Sequence, residues 1–374
     1  MVDRLVDVLV ILDGASEPLG AARTSLERAH THTLDGLAAD GALLRLQTVG
    51  RGLPAGSESA IPALLGWAPD APVDRGAIEA AAHGVELGDG ERAWRVDRRD
   101  RANASATACM LAERLGARRA TADHRVHHLA GHRMLIVGPN PAPTLGGELL
   151  GLELRSGALR MGGLGDELYV WPAGAVPPRL LDAGTVLIGA RGAAVGIARL
   201  MGARTVLPQG ATGRPGTDLA AKAAAALAAI DEGAERVVVH VGAPDEAAHE
   251  RDAEAKVAAI EAADELLLAP LADELREHGG TLSVCPDHGC DPRTGSHDAA
   301  PVPCVVWSAE LPAENTSRVS DPSHSPGFGF GPGPSPRLTE RAVAALQVTD
   351  VADLADLTEA ARMARREREQ AVPV

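Results

Sequence analysis

Apolar positions along this chain fall in short unbroken runs separated by stretches of helical period. VDVLVILDG (6–14), RVVVHVGAPD (236–245) and TLSVCPDHG (281–289) each read as a strand buried on both faces. They end at or near Asp13, Asp245 and Asp287. TDLAAKAAAALAAIDEG (217–233) and the long stretch 249–280 carry apolar helical periodicity and stop at glycines. Strand and helix in alternation, with strands apolar throughout, predict a mostly parallel sheet covered by helices on both faces. Ligands of such sheets bind beyond the carboxyl ends of the strands, where the three acids stand.

The pattern changes between about 74 and 183. Turn signals become frequent and strand-like pieces appear at HRMLIVG (132–138) and LGLELRSGALRMGG (150–163), the latter with Ser156-Gly157 as a hairpin turn. This predicts an α+β domain at 74–183 inserted into an α/β core formed by 1–73 and 184–374, with parallel-sheet character resuming at 185–208. The Pro-, Gly- and Ser-rich segment 317–337 reads as a loop, and 353–370 as a terminal helix that packs on the core or contacts another copy.

Composition narrows the picture. A chain of 374 residues with 45% apolar and 23% charged residues is neither disordered nor fibrous. A net charge of −15, from 51 acidic and 36 basic residues with no long basic cluster, argues against nucleic acid and anionic membranes as partners. Four cysteines in this length form no disulfide framework, which predicts a reducing, cytoplasmic setting. Cys285 and Cys290 are spaced too widely for the usual zinc pair. The acidic N-terminal run is no signal peptide, and no run reaches the ~20 apolar residues of a membrane span.

The candidate chemistry gathers at the strand ends. Asp245 and His249 are spaced i, i+4 and share a face if a helix begins after the strand. Asp287-His288 ends another strand, and His297 follows in the next loop. Singly, an Asp after a strand caps a helix and a His packs on the surface. Together, three Asp and three His form a hard-to-borderline set suited to two divalent cations. In GLPAGSESAIPALLGW (52–67), Ser57 stands at or just before a short helix whose N-terminus favours phosphate, and a metal there would activate its hydroxyl. The spacing alone leaves Ser57 open as a mere N-cap, with Ser59 equally placed.

ILDG (11–14), PAGSESAIPALLGW (54–67), RGAIEA (75–80), GHRMLIVG (131–138), the Gly-rich segment 195–223, VHVGAPDEAAHERDAEAKVAAIEAAD (239–264) and PDHGCDPRTGSHDAAPVP (286–303) resemble, in the same order, the archaeal-type cofactor-independent phosphoglycerate mutases of the alkaline phosphatase superfamily. The resemblance implies an alkaline-phosphatase-like core with a smaller substrate-covering domain, a phosphoserine intermediate on Ser57 and two divalent ions. Mn²⁺ is the first expectation, with Zn²⁺, Mg²⁺ and Co²⁺ as alternatives. By motif, Asp245, His249 and His297 would hold one ion, and Asp13, Ser57, Asp287 and His288 the other. Arg75, Arg95, His132 and Arg133 would grip the acid groups of a small phosphorylated substrate, each with a surface ion pair as the competing reading. Lys222 and Lys256 match family lysines but, lying on helices, read as solvated.

The departures from the family concern the substrate. Ser57-Glu58 replaces Ser-Asp, Ser59-Ala60-Ile61 replaces Thr-Ala-His, Val195-Gly196 replaces Lys-Gly, and Val96 runs directly into an Asp97-Arg98-Arg99 turn, about one strand short. Interconversion of 3- and 2-phosphoglycerate is therefore the leading expectation. A phosphatase or phosphotransferase acting on another phosphorylated or phosphonylated small acid is the alternative, and an inactive metal- or anion-binding module a third. The sequence leaves self-association as a homo-oligomer open.

Overall fold

The computed structural model describes residues 6–20, 22–98, 109, 112–113, 123–139, 158–160, 167–171, 173–309 and 337–351. The expected loop at 317–337 (apart from Arg337), the expected terminal helix at 353–370 and most of the expected hairpin at 150–163 lie outside them. The chain divides into two compact units. The first comprises 1–68, 180–190 and 202–374, and the second 69–179 and 191–201.

The first unit is built on an eight-stranded sheet. From one edge the order is Val348–Asp350, Ala42–Gln47, Val302–Ser308, Thr281–Cys285, Asp7–Leu12, Arg236–Val241, Thr185–Ile188 and Arg204–Val206. All neighbours pair in parallel except Val302–Ser308, which runs against both of its neighbours. The central strands are apolar throughout because both of their faces are covered: Val8, Val10, Val237, Val239, Leu282 and Val284 are fully buried. The hydrophobic effect, at about 25 cal/mol per Å² of apolar surface, acts on both faces of each such strand.

Helices supply the covering layers. Leu219–Asp231 starts at the N-cap Asp218, whose carboxylate accepts from Ala221 N, and buries Leu219, Ala223, Ala226 and Ala229. The long helical stretch expected at 249–280 is broken into pieces. Ala253–Ala263 passes through a π-helical turn, Asp264–Leu268, into Ala269–His278. The extra residue of that turn accompanies a task for Asp264: its carboxylate accepts from Thr33 N at 2.9 Å and Leu34 N at 2.7 Å, in the first turn of the helix His32–Asp40. Among the described residues no helix is long and apolar enough to cross a membrane.

The second unit carries a five-stranded antiparallel sheet in the order Arg125–Ala130, Arg133–Pro139, Glu91–Arg98, Glu167–Val170 and Ala158–Arg160. Asp97 and Arg98 extend the strand Glu91–Arg98 and do not form the expected turn, because Asp97 pairs with both Arg133 and Tyr169 across the sheet. The helices Arg75–His83 and Ala193–Met201 belong to this unit. They meet at a glycine: a Cβ on Gly196 would come within 2.1 Å of the Ile78 carbonyl oxygen. Gly76 likewise lies against the Ala93 backbone.

Because the obstructing atom is backbone, Gly196→Ala must separate the two helices. The expected cost is about 1–3 kcal/mol. A thermal unfolding midpoint equal to that of the parent chain would show that the helices do not meet so closely.

Candidate metal and phosphoryl-transfer site

The first unit's sheet brings the three acids together by register. Leu12 lies opposite Val241, and Ile11 opposite Cys285, so three adjacent parallel strands end side by side. Asp13 follows the first directly. Asp245 sits in the helix Ala243–His249 that leaves the second, and Asp287 two residues beyond the third. All three are at least nine-tenths buried. The expected helix after the strand is present, and it puts His249 Nε2 3.1 Å from Asp245 Oδ2. A small antiparallel hairpin, Gly289–Asp291 with Ser296–Asp298, then carries His297 back, with Nε2 3.4 Å from Asp245 Oδ1 and 2.9 Å from His249 Nε2.

Three histidines are oriented by the same device. Nδ1 of His249 lies 3.0 Å from the Gly295 carbonyl, Nδ1 of His297 2.9 Å from the Ala55 carbonyl and Nδ1 of His288 3.1 Å from the Gly289 carbonyl. A carbonyl can only accept, so each Nδ1 carries the proton and each Nε2 lone pair faces the cluster. Two such lone pairs at 2.9 Å repel unless a cation or a proton lies between them.

Ser57 closes the second half of the cluster. Its Oγ is 3.4 Å and 3.5 Å from the Asp13 carboxylate oxygens and 3.4 Å from His288 Nε2, which is itself 3.4 Å from Asp13 Oδ1. These separations are long for hydrogen bonds. They match the roughly 3.4 Å between two donors that each sit about 2.1 Å from one tetrahedral cation. Ser57 is the first residue of the helix Ser57–Leu64, whose N-cap is Gly56. The bare N-cap reading is thereby removed. Ser59 is buried, with its Oγ unpartnered.

Among the described residues two groups of potential ligand atoms emerge: Asp245, His249, Cys290 and His297, and Asp13, Asp245 and His288. Asp245 belongs to both. Asp287 is held differently, its Oδ1 accepting from Gly14 N at 3.0 Å and His288 N at 2.9 Å. Asp287 Oδ2 and Asp245 Oδ1 are buried without a hydrogen-bond partner. Two orphaned carboxylate oxygens among aligned imidazole lone pairs are the donors a divalent cation requires, so the residues fit such an ion.

A proton also satisfies these lone pairs and carboxylates, as the electrostatics show. Burial, then the charges of Asp287 and Asp245, push the Asp13 carboxyl well above the usual carboxylate range. Burial opposes ionisation of Asp245 too, but its bonds to His249 and His297 outweigh it and hold that carboxyl well below the range. Burial disfavours a charged His297, yet its bond to Asp245 and the Asp245 charge carry it up to about 9.

Several residues escaped sequence reasoning. His240 lies inside the strand Arg236–Val241, where it reads as core. Its Nε2 is 3.0 Å from Asp13 Oδ2, and burial lowers it to about 4, so it is a neutral imidazole. Cys290 falls within the first ligand group with no second cysteine beside it. It pairs with His297 across the hairpin, a relation that cysteine spacing cannot reveal. Lys222 and Lys256, expected in solvent, are fully buried. The Lys222 ammonium donates to the His240 carbonyl at 2.7 Å, and burial lowers it to about 8. Lys256 donates to the Cys290 carbonyl at 2.6 Å and lies 3.1 Å from the Glu17 carboxylate. Backbone carbonyls at the site solvate both ammonium groups in place of water.

The four expected substrate residues belong to the second unit. There Arg95 is buried and committed: it holds Glu79 at 2.8 Å, grips Asp97 with two nitrogens at 2.9 Å each, and stacks 4.7 Å from the Trp171 ring. Arg75 stands 3.5 Å from Glu79 and 5.5 Å from the same ring. Burial would raise the Glu79 carboxyl, but Arg75 and Arg95 outweigh it and lower it. His132 and Arg133 are half-buried.

Comparison with known proteins bears on this arrangement. The family model described as the metalloenzyme superfamily matches residues 6–322. The 2,3-bisphosphoglycerate-independent phosphoglycerate mutase 2 of Methanothermobacter thermautotrophicus is 30% identical over 370 residues, covering 84% of this chain and 91% of that protein. A solved Pyrococcus horikoshii protein superposes with a TM-score of 0.66 at 20% identity, over 100% of this chain and 99% of that one. A cofactor-independent phosphoglycerate mutase from Thermoplasma acidophilum does so with 0.55 at 18% identity, over 96% and 99%. At these identities the two structures speak for the fold.

Asp245→Asn removes a donor shared by both ligand groups, so Mn²⁺ affinity by calorimetry should fall about tenfold or more; unchanged affinity would disqualify the cluster. Glu79→Gln removes the buried carboxylate that Arg75 and Arg95 share and should cost about 3–5 kcal/mol in denaturant unfolding. The Glu79 carboxyl is lowered from its ordinary 4.5. The deficit of the variant should therefore be constant above that pH and shrink as pH falls through the folded value. A deficit that grows on acidification would refute the assignment.

Proposed function

The chain belongs to the metalloenzyme superfamily and, within it, to the cofactor-independent phosphoglycerate mutases, and on that footing we propose that it interconverts 3-phosphoglycerate and 2-phosphoglycerate through a phosphoserine at Ser57. The observation that carries this reading is the placement of Ser57 Oγ, 3.4 Å from both Asp13 Oδ1 and His288 Nε2 at the first residue of a helix. A phosphoryl group on that oxygen meets the positive end of the helix dipole.

Asp245, His249 and His297 would hold one divalent cation, and Asp13, Ser57, Asp287 and His288 the other, with Mn²⁺ the first choice. When bound, such ions lower the pKa of a serine hydroxyl and neutralise phosphoryl oxygens. Ser57 Oγ attacks the phosphorus of 3-phosphoglycerate and displaces the C3 oxygen. The freed glycerate turns within the site, and its 2-hydroxyl takes the phosphoryl group back, restoring Ser57. His288 and His297, fixed through their Nδ1 protons, keep their Nε2 atoms in register during both transfers. Arg75, Arg95, His132 and Arg133 are the candidates for holding the substrate's acid groups, with Arg95 the most committed to internal ion pairs. A glycolytic role in the cytoplasm follows from this reading, with a small acid as partner and neither nucleic acid nor membrane involved.

A second reading has a specific motive. Ile61 and Val195 stand where the family commonly has His and Lys, and both are fully buried. A chain missing those two polar groups holds glycerate less well and releases the phosphoryl group to water, or accepts a different phosphorylated or phosphonylated acid. One experiment separates the readings. With Mn²⁺-loaded protein and 3-phosphoglycerate, ³¹P NMR should show 2-phosphoglycerate; free phosphate alone would instead establish a phosphatase. Chelation should abolish the reaction, Mn²⁺ should restore it, and Ser57→Ala should lower the rate by roughly a thousandfold or more. Normal turnover by that variant would end the phosphoserine scheme.

A further inference from the structure

We propose that Cys290 is a fourth protein ligand of the cation held by Asp245, His249 and His297, so that this half of the site is an N₂OS centre selective for zinc-like ions. The proposal rests on the reading of those three residues as a metal site and adds the donor that decides which metal enters it.

Two elements deliver the four donors in pairs. The helix Ala243–His249 presents Asp245 and His249 one turn apart. The hairpin presents Cys290 and His297, which are register partners across its two strands and therefore project from the same face. The Cys290 Sγ, one carboxylate oxygen and one nitrogen from each histidine all lie within 4.8 Å of one another. Cys290 is fully buried, so its sulfur faces this group and not solvent. A second observation points into the same space: Asp245 Oδ1 is buried there without a hydrogen-bond partner.

Thiolate is the soft member that the rest of the cluster lacks. Mg²⁺ and Mn²⁺ prefer oxygen donors, whereas Zn²⁺ combines sulfur with imidazole in tetrahedral sites. With Asp245 and a thiolate, the ligand set carries two negative charges, one of them on the carboxylate shared with the other half. The buried Lys256 ammonium, fixed on the Cys290 backbone carbonyl at 2.6 Å, adds positive charge to the surroundings of that residue. On binding, the S–H bond breaks and its proton goes to solvent, while the sulfur donates a lone pair to the cation; no oxidant or reductant takes part. The other half of the cluster contains no sulfur, so the two halves differ in metal preference within one site.

The test uses the full chain loaded with Co²⁺, a spectroscopic stand-in for Zn²⁺. The parent protein should show an intense near-ultraviolet sulfur-to-cobalt charge-transfer band, and Cys290→Ser should lose it while still binding cobalt through the remaining three donors. In the same variant, Zn²⁺ affinity should fall about tenfold or more and Mn²⁺ affinity should change less than about threefold. X-ray absorption of the parent chain loaded with a single equivalent of zinc, which needs no variant, should give one sulfur scatterer at about 2.3 Å. Cobalt bound without the band, or a band surviving Cys290→Ser, overturns the sulfur ligand and leaves the three-residue site standing. Cobalt binding that is indifferent to His249→Ala overturns the site and the proposal together.

Discussion

Everything at the active end of the first unit answers to one electrostatic conflict: three carboxylates, Asp13, Asp245 and Asp287, are buried within one cluster. Parallel register forces the meeting, because three neighbouring strands end at the same height. Burial and mutual repulsion raise Asp13 well above the carboxylate range, which measures how poorly the polypeptide alone accommodates the three charges. The surrounding parts are arranged to be completed by positive charge. Histidines are locked with lone pairs inward, backbone N–H groups of Gly14 and His288 bind one oxygen of Asp287, and two lysines stand behind the backbone.

The second unit handles a buried acid in the opposite way. Glu79 is as buried as Asp287, yet its carboxyl lies below the ordinary value because Arg75 and Arg95 neutralise it within the fold. Trp171 stacks on both guanidiniums and donates its indole N–H to Asp97 at 2.7 Å, closing that network with the protein's own groups. The second unit thus neutralises its buried acid within the fold, whereas the first leaves Asp13 without an opposite charge of comparable strength. That difference distinguishes a structural ion network from a site that awaits a ligand.

How much of this could be read from the sequence follows from what each pattern encodes. Apolar runs ending in Asp13 and Asp287 gave the sheet and its carboxyl edge, because burial on both faces leaves no other composition for a central strand. The i, i+4 spacing of Asp245 and His249 was legible for the same local reason, and the observed helix realises it. The strand Val302–Ser308, the one antiparallel member, has the same apolar content as its neighbours, and composition does not encode direction. His240 was hidden by its place in a strand. Cys290 was hidden because its relevant partner is His297 across a turn and not the nearest cysteine. Lys222 and Lys256 were misread because helical periodicity says which face is buried only when the residue type agrees. Here two ammonium groups are buried and find backbone carbonyls that only the folded chain supplies.

Asp245 belongs to both groups of ligand atoms. In the two-ion reading, this makes the halves of the centre thermodynamically linked. An ion that draws on Asp245 from one side withdraws electron density and fixes the carboxylate's orientation for the other, and the coupling free energy is the same whichever ion arrives first. Loading is then a matter of order and cooperativity and not of two independent constants. A chain that held a single ion would be a distinct species with its own geometry around Ser57, neither the empty protein nor half of the full one.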